Sequence, residues 1–121
     1  MKALLLIAHG SRRKQSNTEV VILADTLKQK CYDLYPIIHA GFLELAEPLI
    51  PDAIKKCIDE GATSIIVLPY FLNSGRHVTE DIPTLVGQSI TKYPDVEIKI
   101  APHIGTSAHM TDLLISAANA T

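Results

Sequence analysis

The sequence contains no tryptophan, and aromatic residues make up only 5% of it. It therefore offers no row of rings on which nucleic-acid bases could stack. It has no strong charge of either sign: the net charge is −2, which excludes a basic footprint for a phosphate backbone. No apolar run approaches the roughly 20 residues of a membrane-spanning helix. Cysteine is scarce too. Cys31 and Cys57 fall in separate helical patterns, without a CxxC pair. Reduced thiols in the core are expected, not a disulfide. The glycine signatures GxGxxG and GxxxxGK(S/T) are missing, so dinucleotide and P-loop readings have no support. No serine stands in a GxSxG elbow.

What is present is apolar and regularly interrupted. Hydrophobic residues make up 47% of the 121 positions, enough for a core and too many for a disordered chain. The length suits one domain, 1–121. Met1 to Leu6 looks like a signal peptide for six residues. His9 and Arg12-Arg13 then interrupt it, so the reading is a strand and a cytoplasmic protein.

The organising stretch is Ser64 to Thr79. Ile65-Ile66-Val67-Leu68 is short, β-branched and without polar alternation, as suits a strand covered on both faces. Pro69 ends it. Asn73-Ser74-Gly75 forms a turn that presents Arg76 and His77 in a loop. Thr79 caps the next helix, followed by Glu80 and Asp81 where the helix dipole favours acids.

The rest of the chain repeats that plan. Ala3–Ala8 is the first strand, followed by the loop His9-Gly10-Ser11-Arg12-Arg13. Ser16 or Asn17 caps a helix with Val20, Leu23, Leu27, Cys31 and Leu34 on one stripe. Ile37–Leu43 is the second strand and ends in Glu44-Leu45-Ala46-Glu47-Pro48. Pro48 suits the first turn of a helix whose buried face is Leu49, Ala53, Ile54, Cys57 and Ile58, and Gly61 stops it. A third helix covers about 80–92, with Leu85, Val86, Ser89 and Ile90 inward. Val96–Ala101 alternates more and suits an edge strand. Pro102-His103-Ile104-Gly105 follows it. Thr106 or Ser107 caps a last helix with Met110, Leu113, Leu114 and Ala117 inward. Four β-α units predict an α/β fold: a four-stranded parallel sheet with helices on both faces, flavodoxin-like, of order 2-1-3-4. That order puts the switch point between strands one and three, beside His9 and His77.

Five histidines are many for this length. His9, His77 and His103 follow strand ends directly. Two imidazoles with Glu44 can hold a divalent transition metal with open positions, and can take protons near neutral pH. Each loop histidine taken singly also reads as an exposed or capping residue. His39 and His109 read as core or helix-surface histidines. Arg12, Arg13 and Arg76 can pair with carboxylates or phosphates, or can simply be solvated. Glu44 also reads as a dipole acid ahead of the second helix, a role that fits Glu47 better. His9-Gly10 follows Ala8, where the histidine-phosphatase signature has an arginine.

Three ordered motifs carry a resemblance. Leu5-Leu6-Ile7-Ala8-His9-Gly10-Ser11-Arg12, Phe42-Leu43-Glu44-Leu45-Ala46-Glu47-Pro48, and Leu68-Pro69-Tyr70-Phe71-Leu72 with Gly75-Arg76-His77-Val78 resemble the CbiX/SirB-type sirohydrochlorin chelatases, relatives of the ferrochelatases. The resemblance covers nearly the whole chain and its length matches the short, single-lobe form; long members carry two lobes. It implies insertion of a metal (cobalt foremost, ferrous iron or nickel also suited) into sirohydrochlorin, a carboxylate-rich tetrapyrrole, for cobalamin or siroheme synthesis. His9 and His77 are then metal ligands and proton handlers, assisted by Glu44. Ser11, Arg12, Ser74, Gly75 and Arg76 are then expected to meet the substrate. No ATP and no cofactor beyond the substrate metal is expected. One lobe offers half a cleft for a flat macrocycle, so a homodimer is expected. Two other readings use the same residues: a metal-delivery protein without chemistry, and a phosphate-ester hydrolase built on His9.

Overall fold

In the computed structural model, strands and helices alternate along the chain: β1 (Lys2–Ala8), α1 (Lys14–Cys31), β2 (Ile37–Phe42), α2 (Ile50–Asp59), β3 (Ser64–Pro69), α3 (Ile82–Lys92), β4 (Glu97–Ile100) and α4 (Met110–Asn119). A π-helical turn, His77–Asp81, leads into α3, and a 3-10 turn, Ile104–Thr106, precedes α4. Residues 1–121 are described, except for the side chains of His77 and Val78. The four strands form one parallel sheet of order β2-β1-β3-β4, as the sequence predicts.

The sheet is built on β1, which is apolar on both faces because both faces are covered. Its alternate side chains Ala3, Leu5 and Ile7 join Ile50, Ala53, Ile54 and Cys57 of α2 and Ile82 and Val86 of α3. The intervening Leu4, Leu6 and Ala8 join Val20 and Ala24 of α1. Each fully buried Leu or Ile contributes about 1.5–3 kcal/mol, so these two clusters carry the fold. Burial also pushes the Cys57 thiol up to about 12. Both cysteines are free thiols; Cys57 lies in the core, as expected, whereas Cys31 is only half-buried. Gly61 ends the α2 segment with φ +106°, a conformation side chains resist. β4 is an edge, and its exposed Glu97 and Lys99 pair with each other at 2.8 Å, which blunts it.

Several local expectations give way. α1 starts at Lys14 with Arg13 at its cap, so neither Ser16 nor Asn17 caps it. It ends before Leu34, which is exposed, while Ala24 is buried instead. Pro48 lies outside α2, and Pro51 takes the first-turn place. Pro48 instead accepts a hydrogen bond from the Phe42 amide, 2.9 Å away. Leu49 is the α2 cap and is exposed, so Ile50 replaces it in the core. The first-turn acid of α2 is Asp52, not Glu44 or Glu47. Thr79 does not cap a helix from outside: its hydroxyl donates to the Gly75 carbonyl at 2.9 Å from within a helical turn. Ile90 is exposed, and Ile82 is buried in its stead. His109 occupies the N-cap position of α4 without a side-chain cap bond, and the Ser107 hydroxyl accepts the His109 amide at 3.2 Å just ahead of it. α4 buries none of its residues, and Leu113, Leu114 and Ala117 face solvent. Because α4 does not cover the α1 side of β3, Ile66 and Leu68 are only half-buried. Among the described residues, no helix is long and apolar enough to cross a membrane.

Candidate active site

A parallel sheet brings the carboxyl ends of its strands to one edge. β1 ends at Ala8, so His9 leaves that edge first. β2 lies beside β1, with Ala8 opposite Phe42, so Glu44 leaves the same edge two residues on. Backbone hydrogen bonds carry the pairing past the strand ends. The Leu43 amide donates to the Ala8 carbonyl at 3.0 Å, and the Glu44 amide to the His9 carbonyl at 3.1 Å.

This zipper explains Gly10. Its φ is +91°, and a Cβ there would stand 1.7 Å from the Glu44 carbonyl oxygen. Only glycine lets the two loops close. The result is a side-chain contact: His9 Nε2 lies 2.9 Å from Glu44 Oε1, with both groups partly exposed. A neutral His9 that donates its Nε2–H to the carboxylate carries its lone pair on Nδ1. A metal ion or a proton arriving at that ring is then stabilised by the carboxylate behind it. A cleft of about 320 Å³, lined by Leu43, Glu44, Asp81, Thr84 and Leu85, opens beside the pair. Among the described residues, no three histidine, cysteine or acidic side chains converge on one point.

The third motif approaches from β3, the other neighbour of β1. The Tyr70 amide donates to the Ile7 carbonyl at 2.7 Å, so this loop too starts at the shared edge. His77 opens the helical turn that follows and is not in a loop. Its side chain, expected as metal ligand and base, lies outside the described residues. Ser74, Gly75 and Arg76 are exposed. Arg76 is turned along the helical segment toward Glu80, with Nε 3.6 Å from Oε2. That pair is almost fully solvated and so weak, leaving the guanidinium free to be recruited.

The two remaining arginines differ. Arg13 is drawn back onto α1, where its Nη2 donates to Gln15 Oε1 at 3.0 Å. Arg12 is exposed and makes no such bond among the described residues. Ser11, also expected to meet the substrate, uses its hydroxyl oxygen to accept the Arg13 amide at 3.0 Å. His39 and His109 stay apart from the site, as expected. His39 faces Glu60 at 2.9 Å and is only half-buried, and His109 is exposed at the start of α4. His103 stands at the start of the 3-10 turn, and its carbonyl accepts the Thr106 amide at 3.0 Å. Sequence reasoning missed Asn17, whose amide grips the Ser11 backbone; its signal was an asparagine read as a cap.

The CbiX family profile matches residues 3–121. Sirohydrochlorin cobaltochelatase of Methanocaldococcus jannaschii is 48% identical over 87 residues, 72% of this chain and 59% of that protein. The cobaltochelatase of Sulfolobus acidocaldarius is 35% identical over 94% of this chain and 87% of its own length. The sirohydrochlorin ferrochelatase of Priestia megaterium is 35% identical over the whole of this chain and 45% of its own. The chain thus spans about half the length of several curated relatives it matches. Among solved structures, the sirohydrochlorin chelatase SirB from Bacillus subtilis subspecies spizizenii, in complex with cobalt, superposes with a TM-score of 0.87 at 29% identity. The match covers 98% of this chain and 50% of that one. With that profile matched over residues 3–121, and with His9 and Glu44 in contact at one sheet edge, this chain belongs to the CbiX family.

Proposed function

We propose that this chain inserts a divalent metal, cobalt foremost, into sirohydrochlorin without ATP. The observation that carries the reading is the His9–Glu44 contact at the carboxyl edge of adjacent strands, next to the strand that leads to His77. The names of the relatives support it, since they are sirohydrochlorin cobalto- and ferrochelatases. Ferrous iron and nickel suit the same nitrogen and oxygen ligands.

Insertion exchanges two pyrrole N–H protons for one divalent ion. The ion must shed water and the protons must leave. His9, with His77, holds the ion through few ligands, so positions stay open for pyrrole nitrogens. As the ion passes to the macrocycle, the vacated imidazoles of His9 and His77 each accept one of the two pyrrole protons, and Glu44 stabilises the His9 imidazolium. The half-exposed pair lets those protons reach water. Arg12 and Arg76 pair with the carboxylates of the macrocycle. The substrate is flat and one lobe supplies one wall, so a second copy of the chain supplies the other. The exposed apolar side chains Leu113, Leu114 and Ile115 support such pairing. Free thiols support a reducing, cytoplasmic setting. An anaerobic absorbance assay with sirohydrochlorin and each metal in turn tests the reading. Metallation above the spontaneous rate is expected with cobalt, and its absence with every metal overturns the proposal.

A further inference from the structure

Asn17 sits in the first turn of α1, six residues after Ser11. Its Oδ1 accepts the Ser11 amide at 2.9 Å, and its Nδ2 donates to the Ser11 carbonyl at 2.8 Å. One planar amide therefore holds both backbone groups of a single loop residue, as a neighbouring strand would. The two bonds fix the peptide planes on either side of Ser11. The plane on the far side leads directly into Arg12. The Ser11 hydroxyl then accepts the Arg13 amide at 3.0 Å. Arg12 is thus the single residue between two pinned neighbours, at the tip of a turn closed by three hydrogen bonds.

The same loop holds His9 by other means. The backbone bonds from Leu43 and Glu44, and the packing of Gly10 on the Glu44 carbonyl, do not involve Asn17. Loss of the Asn17 amide releases the Ser11–Arg13 turn and leaves His9 in place. Arg13 is tied to Gln15, so the guanidinium that the turn presents is that of Arg12. We infer that Asn17 is a positioning residue: it aims Arg12 at an acid group of the tetrapyrrole and so sets substrate affinity, not the chemical step. This rests on the chelatase reading given above.

The test is a double-mutant cycle of Asn17→Ala and Arg12→Ala, read with sirohydrochlorin and cobalt(II). Arg12→Ala should raise KM about fivefold, which is what one exposed charged pair supplies. Asn17→Ala should raise KM about threefold with kcat unchanged. The double variant should match Arg12→Ala alone, because a lost guanidinium has no aim to lose. Cobalt(II) binding to the chain alone should be the same in all four proteins. Independent, multiplying effects on KM overturn the inference, as does a fall in kcat at constant KM for Asn17→Ala. If Asn17→Ala melts early, Asn17→Asp keeps the size and the acceptor while setting a second oxygen against the Ser11 carbonyl. It should raise KM in the same way, and an unchanged KM counts against the inference. Affinity for sirohydrochlorin without metal is measured in parallel. A wild-type chain that binds the macrocycle and never metallates it sinks the chelatase reading, while the cycle in affinity still decides the role of Asn17.

Discussion

Gly10→Ala adds one methyl group where the structure has no room for it. The new carbon would stand 1.7 Å from the Glu44 carbonyl oxygen, so the two loops must part by about 1.3 Å to reach the shortest tolerated contact of 3.0 Å. The backbone at φ +91° also penalises any side chain, by about 1–2 kcal/mol. Separation breaks the 3.1 Å bond from the Glu44 amide to the His9 carbonyl, a loss of about 1 kcal/mol. Together these make Gly10→Ala about 2–3 kcal/mol less stable, or roughly 10 °C in Tm. The same movement pulls His9 away from Glu44. A misplacement of about 1 Å in a reacting group costs on the order of 100-fold in rate. Thermal unfolding and cobalt insertion into sirohydrochlorin measure the two effects. A variant that melts with the wild type and keeps its rate refutes the reasoning, because it shows that the loops are not wedged together at this point.

Further outcomes follow from particular contacts. His9→Ala should lose on the order of 10²- to 10⁴-fold in insertion rate. Glu44→Gln should lose less, roughly 10- to 100-fold, since it acts through the imidazole. His39→Gln and His109→Gln, away from the site, should insert cobalt near the wild-type rate. Alkylation by iodoacetamide at pH 8, followed by mass spectrometry, should label Cys31 and spare buried Cys57. Its thiol is raised from 9.0 to about 12, so the stability of the neutral buried thiol is intact below pH 9 and is lost as pH rises toward 12. A melting series across that range that stays flat contradicts this. Light scattering should give twice the 13.2 kDa chain mass, and a fully active monomer contradicts the paired cleft.

The strands were legible because a parallel sheet buried on both faces leaves plain β-branched runs, and Ile65 to Leu68 is such a run. Once four β-α units are counted, few topologies remain, and the edge shared by His9 and Glu44 follows from them. Local signals misled where one residue preference serves two geometries. Asparagine at a helix start suits a cap, yet Asn17 turns its amide onto Ser11. Proline suits the first helical turn, yet that place belongs to Pro51 and not Pro48. The stripe on α4 correctly marks an amphipathic helix. Periodicity says nothing of what covers it, and here no part of the described fold does. The pairing of Arg76 with Glu80 was also hidden, since it depends on the turn becoming helical.

The central claim, that the histidines at this sheet edge insert metal into a tetrapyrrole, meets its most direct test in one assay. Sirohydrochlorin and cobalt(II) are mixed anaerobically with wild-type chain or with folded His77→Ala, and absorbance is followed against the protein-free rate. The wild type is expected to metallate well above that rate and His77→Ala only at it. A folded His77→Ala that still inserts cobalt above the spontaneous rate contradicts the account.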